Sequence, residues 1–192
     1  YVIFAAQVTT LGTTTFAAHS IAVTAEQIFY IAGYGLRAAT STLVGIAVGE
    51  KNQKKYDKVC RSSLAFTLGM QCITGFLLFV TAYPLMSLFT SSDEVARIGA
   101  SVLKIVAFSE PFYGLMIVAE GIFYGLGNTK LPFITELFGM WVIRIIPTYI
   151  FVHYIGATIE IIWYFMIADN IIKTILLLIP LIRKKSIQKV LA

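Results

Sequence analysis

Apolar residues run through this chain in stretches long enough to cross a bilayer, which takes about 20 residues, and short polar clusters separate them. Residues 1–12 (YVIFAAQVTTLG) predict a helix of about 18 Å, short of the roughly 30 Å hydrocarbon core. Gly12-Thr13-Thr14-Thr15 then reads as a turn. The opening is therefore expected to be the second half of a helix, and with no initiating Met the chain is expected to be a fragment. A second helix is predicted over about 16–48, longer than a bilayer requires, with Gly33 and Gly35 as its bending point. A third covers about 62–83 and stops at Pro84, and the polar loop TSSDEVAR leads to a fourth over about 95–124. Pro111 should kink that helix beside Glu110 by removing a backbone hydrogen bond. After a turn at Gly125-Leu126-Gly127-Asn128, a fifth helix covers about 131–152, with Pro132 in its first turn, and a sixth about 159–182. The pattern is that of an all-α, polytopic transmembrane helix bundle whose first helix is truncated.

Composition agrees. Hydrophobic residues make up 58% and charged residues 13%, with a mean hydropathy of +0.82, whereas soluble domains average about 25% charged residues. The 192 residues are expected to make one compact bundle, without room among them for a soluble domain. The net charge of +5 does not indicate nucleic acid, because the basic residues gather at helix ends. Ten Lys and Arg fall at 49–61, 125–130 and 183–192, and only Arg97 and Lys104 at the opposite ends. By the positive-inside rule the richer side, including the C-terminus, is expected to be cytoplasmic. Cys60 and Cys72 lie in or beside one helix, where a disulfide is geometrically disfavoured.

The chain has no HExxH, GxSxG or phosphate-loop motif and no Cys/His cluster, which argues against an enzyme and against a bound cofactor or metal centre. His19 and His153 are expected to be hydrogen-bonded histidines near the outer boundary. What stands out is charge at membrane depth, which is costly unless it faces a bundle interior or water. Glu26 falls near mid-bilayer, Glu110 adjoins the Pro111 break where freed carbonyls could act as ligands, and Glu120 is nearer the cytoplasmic end. Such carboxylates can load a proton or hold a cation. Each has a plainer alternative as a hydrogen-bonded helix fastener. Gln27, Tyr30, Tyr34 and Phe29 near Glu26 could wall a pocket for an aromatic or cationic ligand. Asp169 and Lys173, spaced i, i+4, can neutralise each other. Arg37 can snorkel, and Arg144 either clamps a neighbouring helix or gates. Gly45-Ile46-Ala47-Val48-Gly49 is a GxxxG and reads as helix packing.

In order along the chain, AAHSIAV at 17–23, GYGLRAATSTLVGIAVGE at 33–50, LFTSSDEV at 88–95, EGIFYGLGNTKLPF at 120–133 and GMWVIRIIPTYI at 139–150, with Asp169 ahead of a final RKK, resemble the C-terminal half of a multidrug and toxic compound extrusion (MATE) transporter. The resemblance implies a cation-coupled exporter of two six-helix lobes, this chain being the second, with an N-terminal lobe outside it. It implies sodium or proton antiport by alternating access, an organic-cation or drug-like substrate, and a multi-pass cell-membrane location. Glu26, Glu110, Glu120, Gln27, Tyr30 and Tyr113 become the candidates for cation and substrate binding. Arg37, Arg144, Asp169 and Lys173 become gating or structural charges. The chain departs from the family where many members carry carboxylates: Thr24 and Tyr113 stand at those positions. A lipid-linked sugar flippase of the same superfamily and a non-transporting or truncated membrane scaffold are the competing readings. The flippase predicts a more basic cavity; the scaffold predicts every buried charge paired and no wet cleft.

Overall fold

The computed structural model describes residues 2–156 and 158–183, and the regular elements among them are all helical. α1 is Val2–Thr9, α2 Thr13–Gly49, α3 Gln53–Phe89, α4 Asp93–Ala107 and α5 Glu110–Gly125. α6 runs Lys130–Ile155 and α7 Ile159–Ile182. α2, α3, α6 and α7 are each long and apolar enough to span a bilayer, and α4 with α5 makes a further span bent by 58°. Exposed apolar side chains such as Phe66, Ile73, Phe76 and Phe133 suit a lipid surround. This is a multi-pass membrane protein.

Local chemistry explains the boundaries, including those that differ from expectation. α3 begins at Gln53 rather than near 62, because Asn52 caps it by accepting the Lys55 N–H at 3.0 Å. The basic residues expected in a loop thus ride on the first turns of a helix. Nor does Pro84 stop α3, which continues to Phe89; proline is tolerated in membrane helices because neighbouring groups satisfy the backbone. The Pro111 break divides the fourth predicted helix into α4 and α5, with Pro111 in the first turn of α5. The Ala107 carbonyl, which Pro111 has no N–H to reach, is not an open ligand: a Cβ at Gly75 of α3 would lie 2.7 Å from it, so α3 backs directly onto the break. α2 runs unbroken through Gly33 and Gly35. In α6, residues Gly139–Ile145 and Phe151–Ile155 are π-helical. Pro147 lacks an N–H and crowds the carbonyl of Ile143, so the regular ladder gives way there. Of the basic C-terminal tail, Lys184, Lys185 and Lys189 lie outside the described residues.

Two apolar clusters hold the bundle. One joins Ala22 and Ala25 of α2, Leu78, Ala82 and Met86 of α3, much of α4, and Trp163 and Met166 of α7. The other joins Val44 and Ala47 of α2, Met116, Ile122 and Phe123 of α5, and Leu177 of α7. Between them, at intermediate positions on the same helices, lie buried polar groups: Glu26 on α2, Gln71 on α3, Ser109 and Glu110 at the α4–α5 break, and Asp169, Asn170 and Lys173 on α7. α2 and α5 approach most closely beyond this layer. A Cβ at Gly121 would come within 2.6 Å of the Arg37 carbonyl oxygen, and one at Gly125 within 2.6 Å of that of Ser41. Gly125 therefore belongs to the helix crossing, while Gly127, at φ +73°, makes the turn. Of the predicted GxxxG, Gly45 faces the Gly125 carbonyl and Gly49 meets nothing.

Candidate functional site

The polar layer opens into a cavity of about 830 Å³, within the size range of small-molecule sites. α2 supplies most of one wall, since Glu26, Tyr30 and Tyr34 recur at four-residue spacing and so share a face. Tyr30 donates its hydroxyl to Glu26. Tyr113 of α5 packs on Tyr30 with ring centroids 4.1 Å apart, and its hydroxyl lies 3.1 Å from that of Tyr34. Arg144 of α6 and Asn170 of α7 also line the cavity. His19 also lines the space and is buried: its ring meets Phe4 and Trp163 edge-on at 5.7 Å each, and its Nδ1, expected to be hydrogen-bonded, has no partner. His153 is exposed, with Nδ1 3.0 Å from the Tyr149 carbonyl.

Of the sequence candidates, Glu26, Gln27, Tyr30 and Tyr113 line this cavity together. Glu110 sits outside the lining, almost fully buried, and accepts a 3.0 Å hydrogen bond from Gln71 Nε2; its other carboxylate oxygen has none. Glu120 is also outside, bound to Arg37 at 3.2 Å. Arg37 therefore does not simply snorkel. Its guanidinium lies over the rings of Tyr34 and Tyr124 while it holds the carboxylate. The remaining charges form one group. Arg144 Nη2 and Lys173 Nζ both lie 3.0 Å from Asp169 Oδ2, and Lys173 Nζ also reaches Glu136 at 2.8 Å. Gly139 makes the packing possible, since a side chain there would overlap Asp169 and Lys173.

Gln71, Asn170 and Thr174 were not among the sequence candidates. Neutral polar residues in apolar helices give no electrostatic signal: Gln71 is marked only by its place in the apolar run MQCITG, and Asn170 and Thr174 only by adjoining Asp169 and Lys173. Thr174 donates to the Phe112 carbonyl at 2.7 Å, tying α7 to the start of α5.

The Arg37–Glu120 pair carries a stability prediction. Arg37→Met should leave a mostly buried carboxylate without its partner and cost about 1–3 kcal/mol. The double change Arg37→Met/Glu120→Met should recover most of it, because the pair is replaced by packing. Thermal unfolding of the purified variants checks this; a double variant no better than the single would refute it.

The MatE family model matches residues 1–150 of the chain. The "Probable multidrug resistance protein NorM" of Thermotoga maritima is 28% identical over 168 residues, covering 88% of this chain and 36% of that protein. The chain thus spans about a third of the length of that relative. Among solved structures, one described as the inward-facing conformation of a multidrug resistance MATE family transporter of the MOP superfamily superposes with a TM-score of 0.86 at 20% identity, covering 97% of this chain and 44% of that one. One described as the outward-facing conformation of such a transporter gives 0.87 at 20% identity, covering 97% and 42%. At that identity the likeness concerns the fold.

Proposed function

Because this chain belongs to the MatE family, we propose that it forms the C-terminal lobe of a secondary active multidrug exporter that works by cation antiport. The observation that carries this reading is the juxtaposition of Glu26 with closely packed tyrosines in a cavity large enough for a drug-like molecule. A carboxylate beside aromatic faces attracts a cationic, flat solute through charge and through the ring quadrupoles. The same carboxylate can instead take the coupling ion, a proton or sodium. Competition between the two for one negative charge is what an antiporter needs: cargo leaves when the ion arrives.

Alternating access supplies the other half of the cycle, with this lobe rocking against a partner lobe around the central cavity. The near-equal likeness to inward- and outward-facing folds supports a lobe that moves as a unit. Inward movement of one positive charge contributes about 2.3 kcal/mol per 100 mV to drive export. The end bearing Lys51, Lys54, Lys55, Lys58, Arg61 and Lys130 is assigned to the cytoplasm by its charge. The cavity, with Glu26 in its lining, weighs against a non-transporting scaffold, and a lining with one carboxylate and one guanidinium lacks the excess of positive charge that a flippase for anionic lipid-linked sugars would call for.

The test is efflux of a fluorescent organic cation from proteoliposomes with sodium and proton gradients imposed separately. Export driven by one of the two and collapsed by the matching ionophore is expected. Dye movement indifferent to both gradients would refute cation antiport.

A further inference from the structure

The reading above leaves the buried charges on α6 and α7 unused, and their geometry is odd for a structural clamp. Asp169 is fully buried and has two cations at 3.0 Å from the same oxygen, Oδ2, while its Oδ1 has no partner. Arg144 spends one terminal nitrogen on Asp169, its Nε is unpartnered, and its side chain reaches the cavity that Glu26 lines. Arg144, Glu26 and His19 line the same cavity. Lys173 provides Asp169 with a second counter-ion and is itself held by Glu136. If Arg144 moved away, Asp169 would keep a positive partner. The segment that carries Arg144, Gly139–Ile145, is π-helical, a local departure that recurs at functional positions in helices.

We propose that Arg144 is a shared counter-ion, held by Asp169 when Glu26 is neutralised and drawn toward Glu26 when that carboxylate is bare. The charge state of the cavity then sets how tightly α6 is tied to α7, and Lys173 with Glu136 keeps the vacated Asp169 compensated. Arg144 is in this sense a positioning residue: it converts loading of the cavity into a change of helix packing. The inference rests on the cavity being the cation-exchange site proposed above. The titratable and charged groups around the pair are Tyr30 and His19 from α2, Glu110 and Tyr113 from α5, Glu136 from α6, and Asp169 and Lys173 from α7. α3 contributes the neutral Gln71.

Fluorescence titration of the purified protein with ethidium, an aromatic monocation, between pH 5 and 9 tests the proposal. The wild type should bind more tightly as pH rises and Glu26 loses its proton. Arg144→Gln removes the cation that favours the bare carboxylate, so the midpoint should move to higher pH by about one unit. Asp169→Asn releases Arg144 toward Glu26 and should move it to lower pH. The double variant Arg144→Gln/Asp169→Asn should titrate like Arg144→Gln, because Asp169 acts only through Arg144. Opposite shifts of the two single variants are not what a general loosening of the bundle produces. Shifts in the same direction, or midpoints unchanged in folded variants, would overturn the exchange. If a single variant does not fold, the double variant decides: it buries no lone member of the pair, and a midpoint at the wild-type pH would count against the proposal. A wild type whose ethidium binding ignores pH would defeat the cavity reading as well, whereas a titrating wild type matched by its variants would defeat only the role of Arg144.

Discussion

In the proposed full-length exporter, Glu26→Gln should reduce export of a cationic dye to the level of cells lacking that protein, a loss of at least tenfold, with expression unchanged. The substitution is nearly isosteric, and the amide oxygen can still accept the hydroxyl of Tyr30. Packing at this buried position is therefore preserved, and only the ability to carry or lose a negative charge disappears. In the proposed cycle that ability is the coupling itself. Driving a two-state protein from one part in a hundred to ninety-nine takes about 5.5 kcal/mol of differential affinity, and an amide that never titrates supplies none of it. A graded comparison sharpens the point. Tyr30→Phe keeps the carboxylate and removes one hydrogen bond, so its effect on export should be several-fold smaller. Whole-cell efflux with immunoblotting measures both. Wild-type export by Glu26→Gln at equal expression would take Glu26 out of the mechanism.

The residues behind that expectation differ in how readily the sequence reveals them. That the chain is a membrane-spanning helix bundle comes from long apolar runs, which few soluble folds tolerate, and α7 sits at Ile159–Ile182 as its pattern indicates. Helix ends were harder to place. A proline such as Pro84 interrupts a helix in water but not where neighbours satisfy the backbone, and a basic run reads as a loop even when Asn52 caps it into α3. Glu26, Gln27 and Tyr30 were legible as a group because they are close in sequence on one helix. Their meeting with Tyr113 depends on α5 packing beside α2, a contact 83 positions apart between Tyr30 and Tyr113 that no local pattern encodes. The same limit applies to charge. The i, i+4 spacing announces Asp169 with Lys173, but Arg144 and Glu136 join them only through the approach of α6 that Gly139 allows.

That close-approach chemistry also carries a large expected stability effect where α2 crosses α5. Gly121 and Gly125 are four residues apart on α5, and they sit against the carbonyls of Arg37 and Ser41, four residues apart on α2. The two pairs form a ladder in which backbone lies on backbone. Small residues at such spacing allow helices to approach closely in lipid, where packing rather than the hydrophobic effect drives association. Alanine at either position places a methyl group 2.6 Å from an oxygen that cannot rotate away, and Gly125 would also press on Val44 at 2.7 Å. Each change should cost about 1–3 kcal/mol as overpacking, and a thermal transition on the order of 5 °C lower should report it. Leucine at Gly121 should prevent recovery of folded protein, because it must push α2 off α5 and carry Arg37 away from Glu120. Gly35 and Gly69 provide the control, since a Cβ at either meets nothing within 4 Å. Alanine there should leave stability unchanged or raise it by up to about 1 kcal/mol, through helix propensity alone. The same substitution thus destabilises at one pair of glycines and not at the other. Gly121→Ala and Gly125→Ala melting with the Gly35→Ala and Gly69→Ala controls would mean that α2 and α5 do not cross on these glycines.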